Sequence, residues 1–150
     1  MIDLDSQIKS SMLVKDGVRL TVLRQLKTAI GTVLTAKGRD GKPLSDDEFL
    51  GIVRKQISQR NDSIEAYAKA GILNRAEAET AEKKVLETLL PAGLSDDEIN
   101  SIIDQVISMT NATSKKDMGR VMAAAKDLCN GAADPKVLSQ RIAAKLAKLA

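Results

Sequence analysis

Phe49 and Tyr67 are the only aromatic side chains in a chain of 150 residues. The interior must therefore come from Leu, Ile, Val, Met and Ala, whose compact shapes suit helices packed side by side. Ala, Lys, Glu and Leu are abundant, β-branched runs are few, and no stretch alternates apolar with polar residues. The chain is expected to be all-α, with an N-terminal domain of about four helices followed by a C-terminal three-helix bundle.

The helix ends are legible. A first helix is expected from Asp3 to Val14, with Leu4, Ile8 and Met12 recurring every fourth residue and Asp16-Gly17 breaking it. A second, from Val18 to Ala36, places Leu23, Leu26, Ile30 and Val33 on one stripe, and Gly31 inside it suggests a close helix crossing. Gly38 to Pro43 reads as a mobile polar loop. Ser45-Asp46-Asp47-Glu48 then forms a capping box, in which hydroxyl and carboxylate each satisfy a backbone N–H at the helix start. The third helix carries Phe49, Ile52, Val53, Ile57, Ile64 and Tyr67 and closes at Gly71. Asn74 is expected to cap a fourth helix that buries Ala78, Ala81, Val85 and Leu89 and ends before Pro91.

Leu90-Pro91-Ala92-Gly93 is the strongest break and divides the chain into domains 1–90 and 94–150. Leu94-Ser95-Asp96-Asp97-Glu98 repeats Leu44-Ser45-Asp46-Asp47-Glu48 residue for residue, either as a good helix start used twice or as a structural repeat. Ile99, Ile102, Ile103, Val106 and Ile107 keep helical spacing. Ser114 caps the next helix with Asp117 three residues on, and that helix buries Met118, Val121, Met122, Ala125 and Cys129. Asp134-Pro135 pairs an N-cap with proline at the first helical position, opening a last helix expected to bury Leu138, Ile142, Leu146 and Leu149.

Several function classes lack their residues. With no His and a lone Cys129 on an apolar face, neither a zinc site nor a cofactor is expected. No Gly-rich phosphate loop occurs, and Asp46/Asp47 and Asp96/Asp97 stand at helix starts where capping explains them. The chain is not expected to be an enzyme on its own. No run of 18 apolar residues exists, and acids stand where a signal peptide needs basic residues. A cytoplasmic protein with no membrane partner is the expectation.

The net charge of +3 is uneven. Residues 1–114 hold 15 basic and 17 acidic side chains, whereas residues 115–150 hold eight basic and three acidic. In that basic segment Arg141, Lys145 and Lys148 form a stripe on the last helix. Lys115, Lys116 and Arg120 lie at the start of the preceding one, and Lys136 opens the last. Together with two helix N-termini this surface suits phosphates; a merely solvated lysine face is the alternative. Too few aromatics exist to stack single-stranded bases, and no helix carries the Arg/Asn/Gln cluster that reads a DNA major groove. Structured RNA is the nucleic acid that fits.

The run from Arg54 through Arg60-Asn61-Asp62-Ser63-Ile64-Glu65-Ala66-Tyr67 to Gly71 resembles the YqeY-like proteins. So do Leu90-Pro91 with Leu94-Ser95, Asp117-Met118-Gly119-Arg120-Val121-Met122 and Gly131-Ala132-Ala133-Asp134. The resemblance covers essentially the whole chain. It implies a helical N-terminal domain and a C-terminal domain similar to the tail domain of the glutamine-dependent aspartyl/glutamyl-tRNA amidotransferase, which helps hold the tRNA body. It also links the chain to carbon–nitrogen ligase chemistry with glutamine as amide donor, although the amidase signature and catalytic cradle are missing. Family members often have Gly at position 123 and basic residues at 130 and 132, where this chain has Ala123, Asn130 and Ala132.

Three readings follow. The first is an accessory protein that binds tRNA or another structured RNA, beside amidotransferase or aminoacyl-tRNA synthetase components. The second is a protein-interaction adaptor with no nucleic-acid role, and the third a self-sufficient ligase, which has no candidate nucleophile or nucleotide site.

Overall fold

Helices of 10 to 24 residues are marginal alone in water, so each must bury a stripe against neighbours. The computed structural model describes residues 3–149, which form seven α-helices, one 3-10 turn and no strand. The all-α expectation holds. The chain divides into two compact units, Met1–Leu90 and Pro91–Ala150.

The first unit contains α1 (Leu4–Leu13), α2 (Gly17–Leu34), α3 (Asp46–Lys69) and α4 (Leu73–Glu87). Its core gathers Val22, Leu26 and Ile30 of α2, Phe49 and Val53 of α3 and Leu86 of α4. Each such side chain contributes roughly 1.5–3 kcal/mol by leaving water. The second unit holds α5 (Asp96–Thr110), the 3-10 turn (Lys115–Asp117), α6 (Met118–Cys129) and α7 (Pro135–Leu149). Ile99, Ile103 and Val106 meet Val121, Ala125, Cys129, Leu138, Ile142 and Leu146 in one cluster.

The two pentapeptide copies build the same cap. Ser45 accepts from the Glu48 N–H at 3.1 Å and Glu48 accepts from the Ser45 N–H at 3.2 Å. Ser95 and Glu98 do the same at 3.1 and 3.3 Å. The leading Leu44 and Leu94 pack into the cores that hold Phe49 and Ile99, so each cap carries its hydrophobic staple. The helices they open differ in length, 24 against 15 residues, which makes this a helix start used twice.

Four local expectations are corrected. Helix α4 begins at Leu73, with Ile72 as a cap that supplies no side-chain hydrogen bond, so Asn74 lies inside the helix. Its inner face carries Ala76 and Leu86, with Glu79, Thr80, Glu82 and Val85 half-buried, while Ala78 and Ala81 are exposed. Polar residues facing inward masked the true stripe. A Cβ at Gly31 would meet nothing within 4 Å, so no helix crosses closely there. The loop before α3 is fastened rather than loose. Arg39 donates to the carbonyls of Lys42 and Pro43 and, through both Nη atoms, to Glu48 at 2.6 and 2.9 Å.

A candidate nucleic-acid interface

In the second unit α5 and α7 run parallel, because Arg141 of α7 reaches Asp96 and Asn100 while Lys145 reaches Asp104. Helix α6 runs against both. Arg120 near its start donates to the carbonyl of Thr110 at the end of α5, 3.2 Å away. The 3-10 turn packs on α7, and this antiparallel path puts it at the end of the bundle where α7 finishes. Lys115 and Lys116 of the turn and Lys148 of α7 therefore belong to one end, and all three are exposed. Lys136, also exposed, opens α7 at the opposite end, about 18 Å away at 1.5 Å per residue.

The predicted cations thus fall into three groups rather than one stripe. Arg141 donates to Asp96 at 2.5 Å and to Asn100 at 3.3 Å, and Lys145 pairs with Asp104. Asp96, Asn100 and Asp104 stand four residues apart on α5, two carboxylates and an amide in a row matching the row on α7. Counted over Pro91–Ala150, eight basic residues face seven acidic ones, so folding the acidic α5 into this unit cancels most of the positive excess of residues 115–150.

The turn bearing Lys115 and Lys116 is rigidly built. Ser114 accepts from the Lys116 N–H at 3.3 Å, and Asp117 accepts from the N–H groups of Thr113 and Ser114 at 2.8 and 3.4 Å. Arg120 adds a 2.5 Å ion pair to the same carboxylate. The Thr113 N–H first, and Arg120 next, hold the Asp117 carboxyl at about 2. Arg120, although exposed, is committed to this turn and positions its lysines.

Among the described residues no group of His, Cys, Asp and Glu is arranged to hold a metal ion. Cys129 is buried in the core of the second unit, and desolvation pushes its thiol up, away from the reactive thiolate.

Sequence reasoning missed the one buried charge among the described residues. Arg60 of α3 is 8% exposed; its Nη1 lies 3.2 Å from Glu79 and 3.1 Å from Glu82 of α4, and its Nη2 donates to Gln25 of α2. A signal was present in the spacing: Phe49, Val53, Ile57, Arg60, Ile64 and Tyr67 step by three and four, so Arg60 occupies a core position. The group ties three helices of the first unit together, and the buried Arg60 Nε finds no hydrogen-bond partner among the described residues.

Comparison with known proteins fits this architecture. Two yeast proteins are similar to the chain, each named altered inheritance of mitochondria protein 41, mitochondrial. The one from Kluyveromyces lactis is 34% identical over 112 residues, which cover 70% of this chain and 57% of the relative. The one from Vanderwaltozyma polyspora is 35% identical over 92 residues, 60% of this chain and 48% of the relative. The chain spans about half the length of these curated relatives, and neither name specifies a catalytic activity. Their mitochondrial designation overturns the cytoplasmic expectation: an acidic start and the lack of a membrane-spanning run carry no information about organelle import. The profile of Yqey-like proteins matches residues 2–146. Matched over nearly its whole length, the chain belongs to the YqeY-like family.

Proposed function

We propose that this protein is a non-catalytic accessory factor that binds folded RNA, tRNA foremost, through the end of its C-terminal bundle. The observation that carries the reading is the exposed cluster of Lys115 and Lys116 on a braced 3-10 turn that packs on α7, whose last turn holds Lys148. Three lysines presented on rigid backbone suit the phosphates of a shaped RNA surface, and the scarcity of aromatics argues against base stacking. Lys136 gives a second, separate contact. Arg141 and Lys145, paired to α5, contribute to bundle architecture first and to RNA only weakly.

The resemblance of the second unit to an amidotransferase tail supports tRNA over other folded RNAs. It also supports a place beside amidotransferase or aminoacyl-tRNA synthetase components. Carbon–nitrogen ligase chemistry would belong to such a partner, since the lone thiol, Cys129, is buried in the core of the second unit.

The test is binding of labelled tRNA by the chain and by Lys115→Glu/Lys116→Glu/Lys148→Glu. The variant is expected to lose at least about tenfold in affinity with helicity unchanged. Retained affinity would refute this surface. Failure of the parent chain to bind at low salt would favour the adaptor reading, for which Leu73, Ala76, Glu77, Thr80, Ala81 and Lys84 line a shallow hollow along α4.

A further inference from the structure

The turn between α1 and α2 presents an apolar tip of an unusual kind. Leu13 and Val14 are 84% and 72% exposed, with Met12 and Val18 beside them at 53% and 44%. The backbone of the turn is closed. Val14 N–H donates to Ser10 O, Lys15 N–H to Met12 O and Asp16 N–H to Ser11 O, at 3.1, 3.2 and 2.9 Å. This double closure is the form in which many helices end, with glycine in the left-handed position and an apolar pair folded across it. Here Lys15 takes the left-handed position, at φ 57, and Ser11 and Asp16 stand at the paired sites. The aliphatic side chains therefore have no apolar partner across the turn and stay in water.

The charge around the tip is one-sided. Residues 9–24 carry Lys9, Lys15, Arg19 and Arg24 against a single acid, Asp16. The Asp16 carboxylate is engaged in accepting from the Arg19 N–H at 3.0 Å. Lys9 stands one helical turn before Leu13, and Arg24 Nη2 lies 4.0 Å from Met12 Sδ. Exposed aliphatics are thus bordered by cations.

We propose that this tip is a peripheral contact for an anionic lipid bilayer. Leu13 and Val14 enter the margin of the acyl region, and Lys9, Lys15 and Arg24 meet the phosphodiester headgroups. The shape favours lipid over a protein helix, because a helix needs a groove and this surface is a projecting corner. Closed amides at Val14, Lys15 and Asp16 remove a cost of leaving water, since unbonded backbone groups are expensive in lipid. Cations beside a few aliphatics give weak, reversible binding that depends on anionic lipid and on salt. No helix among the described residues is long and apolar enough to cross a membrane, and surface attachment requires none.

The experiment is co-sedimentation of the chain with vesicles of phosphatidylcholine alone and of phosphatidylcholine mixed with phosphatidylglycerol, at low salt. Partition to the mixed vesicles is expected to exceed that to the neutral ones by at least about tenfold. Leu13→Asp/Val14→Asp, a change at exposed positions that should leave helicity intact, is expected to abolish it. Lys115→Glu/Lys116→Glu/Lys148→Glu is expected to leave it unchanged, which separates this contact from the RNA surface. Equal partition to both vesicle types, or full binding by Leu13→Asp/Val14→Asp, overturns the proposal. So does a dimeric mass in solution that this variant reduces to a monomer, since the tip would then serve a second copy of the chain.

Discussion

Arg141 of α7 donates to the carboxylate of Asp96 in the first turn of α5, 2.5 Å away. With the neighbouring Lys145–Asp104 pair, this contact turns part of a basic stripe into a seam between two helices. The pairs are partly solvated, with the Arg141 and Lys145 side chains 30% and 39% exposed, so each should stabilise the bundle by no more than about 1 kcal/mol.

That seam gives a prediction of opposite sign to ordinary charge removal. Asp96→Asn/Asp104→Asn releases both cations to solvent at little cost in stability. Affinity for tRNA should rise, and the slope of log affinity against log salt should steepen by up to about two. A filter-binding salt series on parent and variant checks this; unchanged affinity would mean the seam lies away from the RNA.

Arg60 should behave differently, because it is buried between Glu79 and Glu82. Arg60→Met leaves two carboxylates beside an apolar side chain and should cost about 2–4 kcal/mol in urea unfolding of the first unit. Adding Glu79→Gln and Glu82→Gln should recover more than half of the loss. A cost below about 1 kcal/mol would class the network with surface pairs.

Acid should weaken the fold through two identified carboxyls. Glu48 is held at about 2 against an ordinary 4.5, chiefly by the Arg39 guanidinium and then by the Ser45 N–H. Asp117 is held at about 2 against 3.8 by the Thr113 N–H and by Arg120. Both are lower in the folded chain than in the unfolded one. Their stabilisation is therefore complete above the ordinary carboxylate range and is lost as pH falls from there towards about 2. Thermal midpoints measured across this window should fall in the parent, and the fall should be shallower in Arg39→Ala.

The unit Pro91–Ala150 should fold alone. It has its own aliphatic cluster and three capped starts, at Ser95, Ser114 and Asp134. A fragment of this extent should show helical circular dichroism and a cooperative urea transition. A gradual loss of helicity would contradict an autonomous unit.

Most of the helical architecture was readable because its ends are written in short-range chemistry. Ser45 and Ser95 each cap where the hydroxyl and the later acid predict, while Ser114 caps the 3-10 turn ahead of α6 rather than α6 itself. Helix α4 was harder: its inner face carries Glu79 and Glu82, which serve Arg60, so of the expected stripe Val85 and Leu89 pack against the core while Ala78 and Ala81 stay exposed. Arg60 itself was visible as a charge on an apolar stripe, but its three partners lie at least 19 residues away in sequence. The same holds for the basic stripe. Arg141, Lys145 and Lys148 do follow helical spacing, yet which of them faces an acid depends on α5 lying parallel to α7, a long-range fact that local periodicity does not carry. Exposure of Leu13 and Val14 likewise depends on what fails to pack against them.

The central claim is that Lys115, Lys116 and Lys148 form the phosphate-binding end of the second unit, and tRNA affinity measured across a salt series tests it most directly. The parent should show a log–log slope of about −2 to −3, as three neutralised phosphates require. Lys115→Glu/Lys116→Glu/Lys148→Glu should bring it to about −1 or shallower, the share left to Lys136. A flat parent series, or a variant slope equal to the parent's, would contradict the account.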